Sequence, residues 1–346
     1  MNRTMLSEFF TQDILGQFTD PKKRLFFGYV ISALCIAFFW LLFIKKQTAG
    51  QSIRDIFNSN IWLSDSSRID IICFVINRVF FFFLQPVFLT QVVIATILFQ
   101  WLHTQSIIQI NVFESAPYWL AASSFTLVFF LLDDFARFLT HLAFHKIPAL
   151  WEFHKFHHSA EHLTPLTVTR THPVEGVIFG FRSAIVQGTT IALFIFLFGN
   201  EIGLITIYGV NLFVVMFHGL GSNLRHSHIA IRYPKSVELF LMSPAQHQLH
   251  HSDNPQHFDK NFGVALSFWD CICGTFHHST NTHLNYGIGE KQKVTTKNLW
   301  QMYSAPFVEL TNRAQKKLVI RLNQLNSARH KGKLNVKVMP KDEIHG

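Results

Sequence analysis

Charge is scarce in this chain. Asp, Glu, Lys and Arg make up 15% of its 346 residues, against roughly 25% in an ordinary soluble domain. With 49% hydrophobic residues and 38 phenylalanines, the composition excludes a typical water-soluble fold. Cysteine is scarcer still. Cys35, Cys73, Cys271 and Cys273 give no disulfide framework, and Cys271-Ile-Cys273 lacks the C-x-x-C spacing of redox and zinc sites, so they read as packed free thiols. A cleavable signal sequence is missing too. The first apolar run starts late, has no small-residue cleavage pattern and is followed by Lys45 and Lys46, which reads as a retained helix.

What is present in their place is a series of long apolar runs. Residues 25–44 contain no charge, and 79–102 are interrupted only by Gln85, Pro86, Gln91 and Gln100. Residues 118–140, 176–198 and the shorter 202–217 follow. Each is near the roughly 20 residues that a helix needs to cross a bilayer. The expected fold class is all-α: a polytopic transmembrane helical bundle carrying a histidine-rich helical cap. Three parts are expected: membrane helices over 1–117, a catalytic domain over 118–278 and a basic tail over 279–346.

Orientation follows from the loops. Residues 103–117 hold no Lys or Arg, whereas 141–175 hold Lys146, Lys155 and Arg170, and the chain after Phe217 holds sixteen. A hairpin over 176–217 that crosses and returns places both histidine-bearing stretches on one face, and the charge bias makes that face cytoplasmic. The first run conflicts with this pattern, because Lys22, Lys23 and Arg24 then fall on the outer side. Either it is interfacial or re-entrant, or the bias fails there.

The histidines are not spread evenly. Sixteen of twenty lie between His141 and His278, in three patterned groups: His141-Leu-Ala-Phe-His145, His154-Lys-Phe-His157-His158 and His247-Gln-Leu-His250-His251. Imidazole is the commonest protein ligand for first-row metals. At i, i+3 and i+4, helical residues share a face, so each box presents its rings together, and eight rings are more than one ion needs. Asp134, seven residues before His141, lies at nearly the same azimuth. It reads either as an acceptor for a ligand's second ring N–H or, with Asp133, as an ion-pair partner of Arg137.

Absent motifs narrow the metal. No Glu-x-x-His pair of the soluble di-iron carboxylate bundles occurs, and no H-E-x-x-H of zinc proteases, since Ser159 follows His158 while Glu161 and His162 are out of register. A nitrogen-rich site suits Fe, Zn, Cu or Ni. A membrane-embedded oxidant acting on lipid would need a redox metal that activates O2, for which iron is the expected choice.

The order H-x-x-x-H, H-x-x-H-H, H-x-x-H-H resembles the sterol desaturase and fatty acid hydroxylase superfamily of membrane di-iron oxidases. Asp134-Phe135, Thr171-His172-Pro173-Val174-Glu175, Ser243-Pro244-Ala245-Gln246, Asn261-Phe262-Gly263 and the stretch from Trp269-Asp270 to Gly274-Thr275 add to the likeness, which covers about residues 120–278. The resemblance implies O2-dependent hydroxylation or desaturation of an unactivated C–H bond in a membrane lipid by two iron ions. It assigns His141, His145, His154, His157, His158, His247, His250 and His251 as ligands. A further histidine before the third box is usual in the superfamily. His218, His226 and His228 compete for it, and His226 and His228 are preferred, with Gly221 standing where many relatives have histidine. Asp134, His172, Glu175, Asn223 and Asp270 are expected to support the ligands from behind. His172 has a second reading as the cap of the following helix, and Arg170 and Arg225 bind a headgroup or fix the site through carboxylates.

No electron-transfer module is legible: there is no G-x-G-x-x-G after a strand, no C-x-x-C-H, and His172-Pro173 lacks the glycines of a cytochrome b5 haem sequence. A separate ferredoxin, cytochrome b5-like protein or reductase is implied. The tail accounts for the charge: residues 291–346 hold twelve Lys or Arg against Glu309, Asp342 and Glu343, an excess of nine that equals the net charge of +9. Phe307, Leu310, Ala314, Leu318, Leu322 and Leu325 recur at helical spacing, as expected of a basic amphipathic helix on anionic lipid. Docking of an acidic electron donor is the other reading. Nucleic acid is disfavoured, since no recognised module accompanies the charge. The expected location is an integral, multi-pass position in a bacterial inner membrane or the endoplasmic reticulum, with the site facing the cytoplasm. A zinc-dependent membrane lipid hydrolase is the alternative with the same nitrogen ligands, although zinc brings no redox chemistry.

Overall fold

The computed structural model describes residues 3–84, 91–105, 110–199, 203–207, 210–289 and 297–336. The chain divides into two compact units, Met1–Leu299 and Trp300–Gly346. The first is helical apart from two antiparallel two-residue strands, Thr206–Ile207 and Val210–Asn211, and isolated bridges. Among the described residues, three helices are long and apolar enough to cross a membrane: Phe27–Ile44, Tyr118–Lys146 and Pro173–Phe198.

Helix α1 (Phe27–Phe39, continued by π turns over Trp40–Ile44) is followed by α2 (Ala49–Ile56) and α3 (Asp65–Leu84). A shorter apolar helix α4 (Gln91–His103) packs on a later one. The expected continuous run over 79–102 is thus shared between α3 and α4, with residues 85–90 outside the described part. The apolar run alone misplaces the boundary, because α3 begins well upstream, at polar Asp65.

Prolines punctuate the histidine-bearing part of the chain. Helix α5 (Tyr118–Lys146) stops at Ile147, which is extended (φ −96°, ψ 112°), as a residue before proline tends to be. Pro148 cannot continue α5, but it suits the first turn of α6 (Pro148–His158). This break folds the second histidine box back onto the first. Helix α7 (Pro173–Phe198) again starts on proline, with His172 as its cap. Helices α5 and α7 pack together and are joined by an ion pair, Arg182 Nη1 to Asp133 Oδ1 at 2.6 Å. Asp133 also pairs with Arg137 at 2.7 Å, as the spacing suggests.

Among the described residues of 202–217 there is no single return helix. The described part is the small strand pair followed by α8 (Leu212–Gly219). Asn211 restarts the helix by accepting from the Phe213 N–H at 2.9 Å, and its amide donates to the Thr126 carbonyl of α5 at 3.1 Å. Residues 200–202 lie outside the described residues. Helix α9 (Pro244–His250) is nucleated by a capping box: Ser243 Oγ accepts from Gln246 N at 3.2 Å and Gln246 Oε1 accepts from Ser243 N at 2.9 Å, with Pro244 at the first position.

The core between α1 and the 220s joins Ala33, Ala37, Leu41 and Ile56 to Leu224, Ile229 and Ile231. Helix α1 therefore lies along the stretch that follows α8. Helix α10 (Leu299–Val336) fills most of the second unit. Phe307, Leu318, Leu322 and Leu325 are exposed on it, and Arg313 pairs with Glu309 one turn away at 2.8 Å. Asp342 and Glu343 lie outside the described residues.

Candidate metal centre

The end of α5, all of α6, the 3₁₀ turn Ser222–His226 and α9 bring nine histidines into two adjacent groups. His141, His145, His154, His158 and His250 form one, and His157, His226, His247 and His251 the other. Within each, one nitrogen per ring lies within 4.8 Å of the rest. That is close to the roughly 4.2 Å that separates opposite ligands at metal–nitrogen bonds of about 2.1 Å.

The two H-x-x-H-H boxes do not act as single faces. Adjacent helical residues are about 100° apart, and this divides each box between the groups. On α6 the i, i+4 pair His154 and His158 joins the five-histidine group, and His157 turns to the other. On α9 the i, i+4 pair His247 and His251 joins the four-histidine group, and His250 crosses to the first. Each box thus gives two rings to one group and one to the other.

The donor set fits metal. In the five-histidine group Nε2 of His145, His154, His158 and His250 is buried without a hydrogen-bond partner. In the four-histidine group Nε2 of His226 lies 3.1 Å from that of His247 and 3.2 Å from that of His251, and the last two are 3.3 Å apart. A neutral imidazole nitrogen either donates or accepts, so among three mutually adjacent nitrogens at least one pair is like against like. A cation at the centre removes that conflict, since every ring then offers a lone pair. Burial first, then neighbouring imidazoles, hold His154, His158, His226, His247 and His251 well below the usual histidine range. Burial takes His157 down to about 3. The rings are therefore neutral at neutral pH, the form that binds metal.

The far ring nitrogens are held mainly around the first group. His141 Nδ1 donates to the Phe262 carbonyl at 2.8 Å, His250 Nδ1 to the Lys260 carbonyl at 2.7 Å and His154 Nδ1 to Glu175 Oε1 at 3.0 Å. The loop that aims the two carbonyls alternates left-handed residues, Asp259 and Asn261, both at φ +59°. Asn tolerates that conformation, and Asn261 is locked by its amide to the Gln246 carbonyl and by His277 N–H. A Cβ at Gly263 would meet the Leu266 carbonyl oxygen at 2.5 Å, so only glycine fits there.

The remaining expected residues fall in different places. His228 is in neither group: its Nε2 donates to the Asp55 carbonyl at 2.7 Å, because the chain leaves the 3₁₀ turn extended at Ser227 and carries it toward α2. His218 bonds to Ser222 Oγ at 2.7 Å. Gly221 sits at φ +88° and opens the turn that delivers His226, a conformation that favours glycine. Of the expected supporting residues, Glu175 touches a cluster ring. Asp134 instead accepts from Ala265 N, Leu266 N and Trp269 Nε1 at 2.9, 3.1 and 3.1 Å. Asp270 accepts from Phe262 N and Gly263 N, both at 2.8 Å, and so acts through the carbonyl that meets His141. His172 Nδ1 accepts from Val174 N at 3.1 Å as a helix cap. Asn223 pairs with Arg24.

Residues outside the boxes complete the support, and Arg170 does so through a carboxylate, one of the two readings given for it above. The carbonyls of Lys260 and Phe262 carry no side-chain signal, although the Asn-Phe-Gly sequence marks their loop. Arg170, fully buried, is held by Asp70 of α3, with Nε to Oδ1 at 2.7 Å, and its carbonyl faces His157 Nδ1 at 3.3 Å. An ionisable residue near an apolar run was the available signal for Asp70.

An apolar cavity of about 360 Å³ opens between α5, α8 and residues 241–266, and it is lined in part by Arg225 of the turn that ends at His226. Leu127, Phe130, Phe213, Met216 and Leu220 line it, with Arg225 and Tyr233 as polar groups. Arg225, next to His226 in sequence, lies 5.1 Å from the Phe217 ring centroid. Burial lowers its guanidinium to about 10, still protonated at neutral pH.

Residues 126–275 match the family model described as Fatty acid hydroxylase. The chain is 28% identical to an ornithine lipid hydroxylase of Rhizobium tropici over 148 residues, 43% of this chain and 40% of the relative. It is 31% identical to a human alkylglycerol monooxygenase over 159 residues, 46% of this chain and 32% of the relative. The Caenorhabditis elegans alkylglycerol monooxygenase is 28% identical over 159 residues, 44% of this chain and 27% of the relative. The chain thus spans two-fifths or less of the length of these relatives. No solved structure matches it significantly. The likeness to the sterol desaturase and fatty acid hydroxylase superfamily seen in the histidine boxes is borne out.

Proposed function

Taking residues 126–275 as a fatty acid hydroxylase segment, we propose that the protein is an O2-dependent monooxygenase that binds one iron ion in each histidine group and hydroxylates an unactivated C–H bond of a membrane lipid. The observation that carries this reading is the pair of adjacent all-imidazole groups, together with an apolar cavity lined in part by Arg225. The relatives' names, a lipid hydroxylase and monooxygenases, favour hydroxylation over desaturation.

Bound iron would supply O2 activation and oxidation of the C–H bond, with two electrons and two protons from an external ferredoxin, cytochrome b5-like protein or reductase, so that one oxygen atom enters the lipid and one leaves as water. The chain's residues do the rest. Glu175 and the Phe262 and Lys260 carbonyls accept hydrogen bonds from the Nδ1–H groups of His154, His141 and His250, which aims each Nε2 at the ion. The Phe- and Leu-lined wall takes the alkyl chain and keeps water away from the reacting carbon. Arg225 and Tyr233, the polar groups in that wall, hold the lipid's polar end.

The protein is read as multi-pass, with the histidine end facing the cytoplasm of a bacterial cell or of a eukaryotic cell at its endoplasmic reticulum. The Lys and Arg bias supports this. Helix α1 meets the 220s near both of its ends, with Arg24 on Asn223 and Leu41 in the core with Ile229. This contact supports interfacial placement of α1, which removes the charge conflict at its start.

The test is turnover of purified, lipid-embedded protein with a chemical reductant and isotopically labelled O2. The expected product is heavier by one labelled oxygen atom, from enzyme holding two iron ions per chain. Turnover without O2, or with zinc alone, would instead support the hydrolase.

A further inference from the structure

The supports behind the two histidine groups come from different parts of the chain. Those of the five-histidine group, Glu175, Lys260 and Phe262, lie inside the fatty acid hydroxylase match. The supports of the four-histidine group reach outside it.

His226 ends a 3₁₀ turn that is clamped by Arg24, about 200 residues earlier. Arg24 Nη2 donates to the Ser222 carbonyl at 3.0 Å and Nε to Asn223 Oδ1 at 3.1 Å, while Asn223 Nδ2 returns a bond to the Arg24 carbonyl at 3.1 Å. Arg24 Nη2 also lies 3.4 Å from His226 Nδ1. His157 rests on the carbonyl of Arg170. The Arg170 side chain is fixed by Asp70 and by the Ser66 carbonyl and hydroxyl of α3. Asn77 of the same helix donates to the carbonyls of Thr169 and Thr171, both at 3.0 Å. Asp70 is itself fully buried and accepts from Thr167 Oγ1 at 2.6 Å. Nδ1 of His247 and of His251 is buried without a partner, so the group has little other outer support.

We propose that Arg24 and Asp70 are positioning residues for the four-histidine metal position alone: the segment before the hydroxylase match completes one of the two metal sites and leaves the other to the matched domain. This rests on the two-metal reading above. A guanidinium with two backbone or amide anchors fixes where the His226 ring sits, and a buried ion pair fixes the backbone that meets His157. Loss of such outer partners typically lowers metal affinity about 10–100-fold.

The experiment is anaerobic titration of the metal-free full-length protein with Fe(II), and in parallel with Co(II), whose visible bands report coordination. Metal per chain is read by elemental analysis. Wild type, Arg24→Met, Arg24→Lys, Asn223→Ala and Asp70→Asn are compared, with Arg182→Gln as a control that breaks the ion pair between α5 and α7. Arg24→Met, Asn223→Ala and Asp70→Asn are expected to weaken one binding step about 10–100-fold and leave the other at its wild-type affinity. Arg24→Lys restores part of the loss, and the control keeps both steps. Should Asp70→Asn fail to give monodisperse protein, Arg24→Met and Asn223→Ala decide from the two sides of one clamp. Two wild-type steps in both of those variants, or equal loss of both steps with the control intact, would overturn the proposal. Wild type that binds fewer than two ions would overturn the two-metal reading instead.

Discussion

The two histidine groups use the same boxes and differ in what stands behind them. In the five-histidine group His141, His154 and His250 each donate from Nδ1 to a carbonyl or carboxylate at 2.7 to 3.0 Å. In the four-histidine group His157 has a longer bond of 3.3 Å, and His247 and His251 have buried Nδ1 atoms without partners. Outer hydrogen bonds set ring orientation before any metal arrives. The first group is therefore preorganised by its own domain, while the second depends on its neighbours and on the ion that its crowded Nε2 atoms would share.

Neighbouring residues test the division most sharply. His158→Ala and His157→Ala are each expected to lower turnover by more than the about 100-fold that loss of an outer partner costs, yet to empty different metal positions. Elemental analysis with Co(II) spectra reads which ion is lost, and loss of the same ion in both variants would break the comparison. Arg170→Met comes next. It strands the buried Asp70 carboxylate, so about 3–5 kcal/mol of stability should go, seen as earlier thermal unfolding in detergent. Glu175→Gln replaces the carboxyl group behind His154 and is expected to weaken the five-histidine position about 10–100-fold; an isotherm with the four-histidine step weakened instead would reverse the assignment.

Acid acts on both groups. The unfolded chain protonates histidine near 6.5, whereas folded His157 resists down to about 3. Between these values the unfolded state binds more protons, so metal-free protein loses stability as pH falls through that window. A midpoint of denaturation that stays constant from pH 7 to pH 4 would contradict the buried, neutral rings. The smallest effect is expected from Ser243→Ala, which removes the cap of α9 at a cost of about 1 kcal/mol. Because α9 and its C-cap carry His247, His250 and His251, both metal steps should weaken together, unlike in any of the single-group variants.

Much of the site was legible because box spacing is local: His141 and His145, or His154 and His158, share a helical face whatever surrounds them. The capping signature Ser243-Pro244-Ala245-Gln246 was equally local. Asp134 was harder, because its azimuth matched His141 while its carboxylate found two backbone N–H groups and an indole from residues 265–269. His226 and His228 are two residues apart in one polar stretch, and their fates diverge at the extended Ser227. The expected return helix over 202–217 gave way to a strand pair and α8, since Asn211 caps a new helix there.

By itself the sequence determined an all-helical membrane protein with three imidazole boxes, since hydropathy and helical period depend only on residues within a few turns of each other. Only the tertiary structure decided that each H-x-x-H-H box splits between two groups, that Arg24 and Asp70 stand behind one of them, and that His228 stands aside. Those outcomes depend on which distant backbone carbonyl, guanidinium or carboxylate reaches each ring, and contacts between residues some 100 to 200 positions apart leave no periodic trace along the chain.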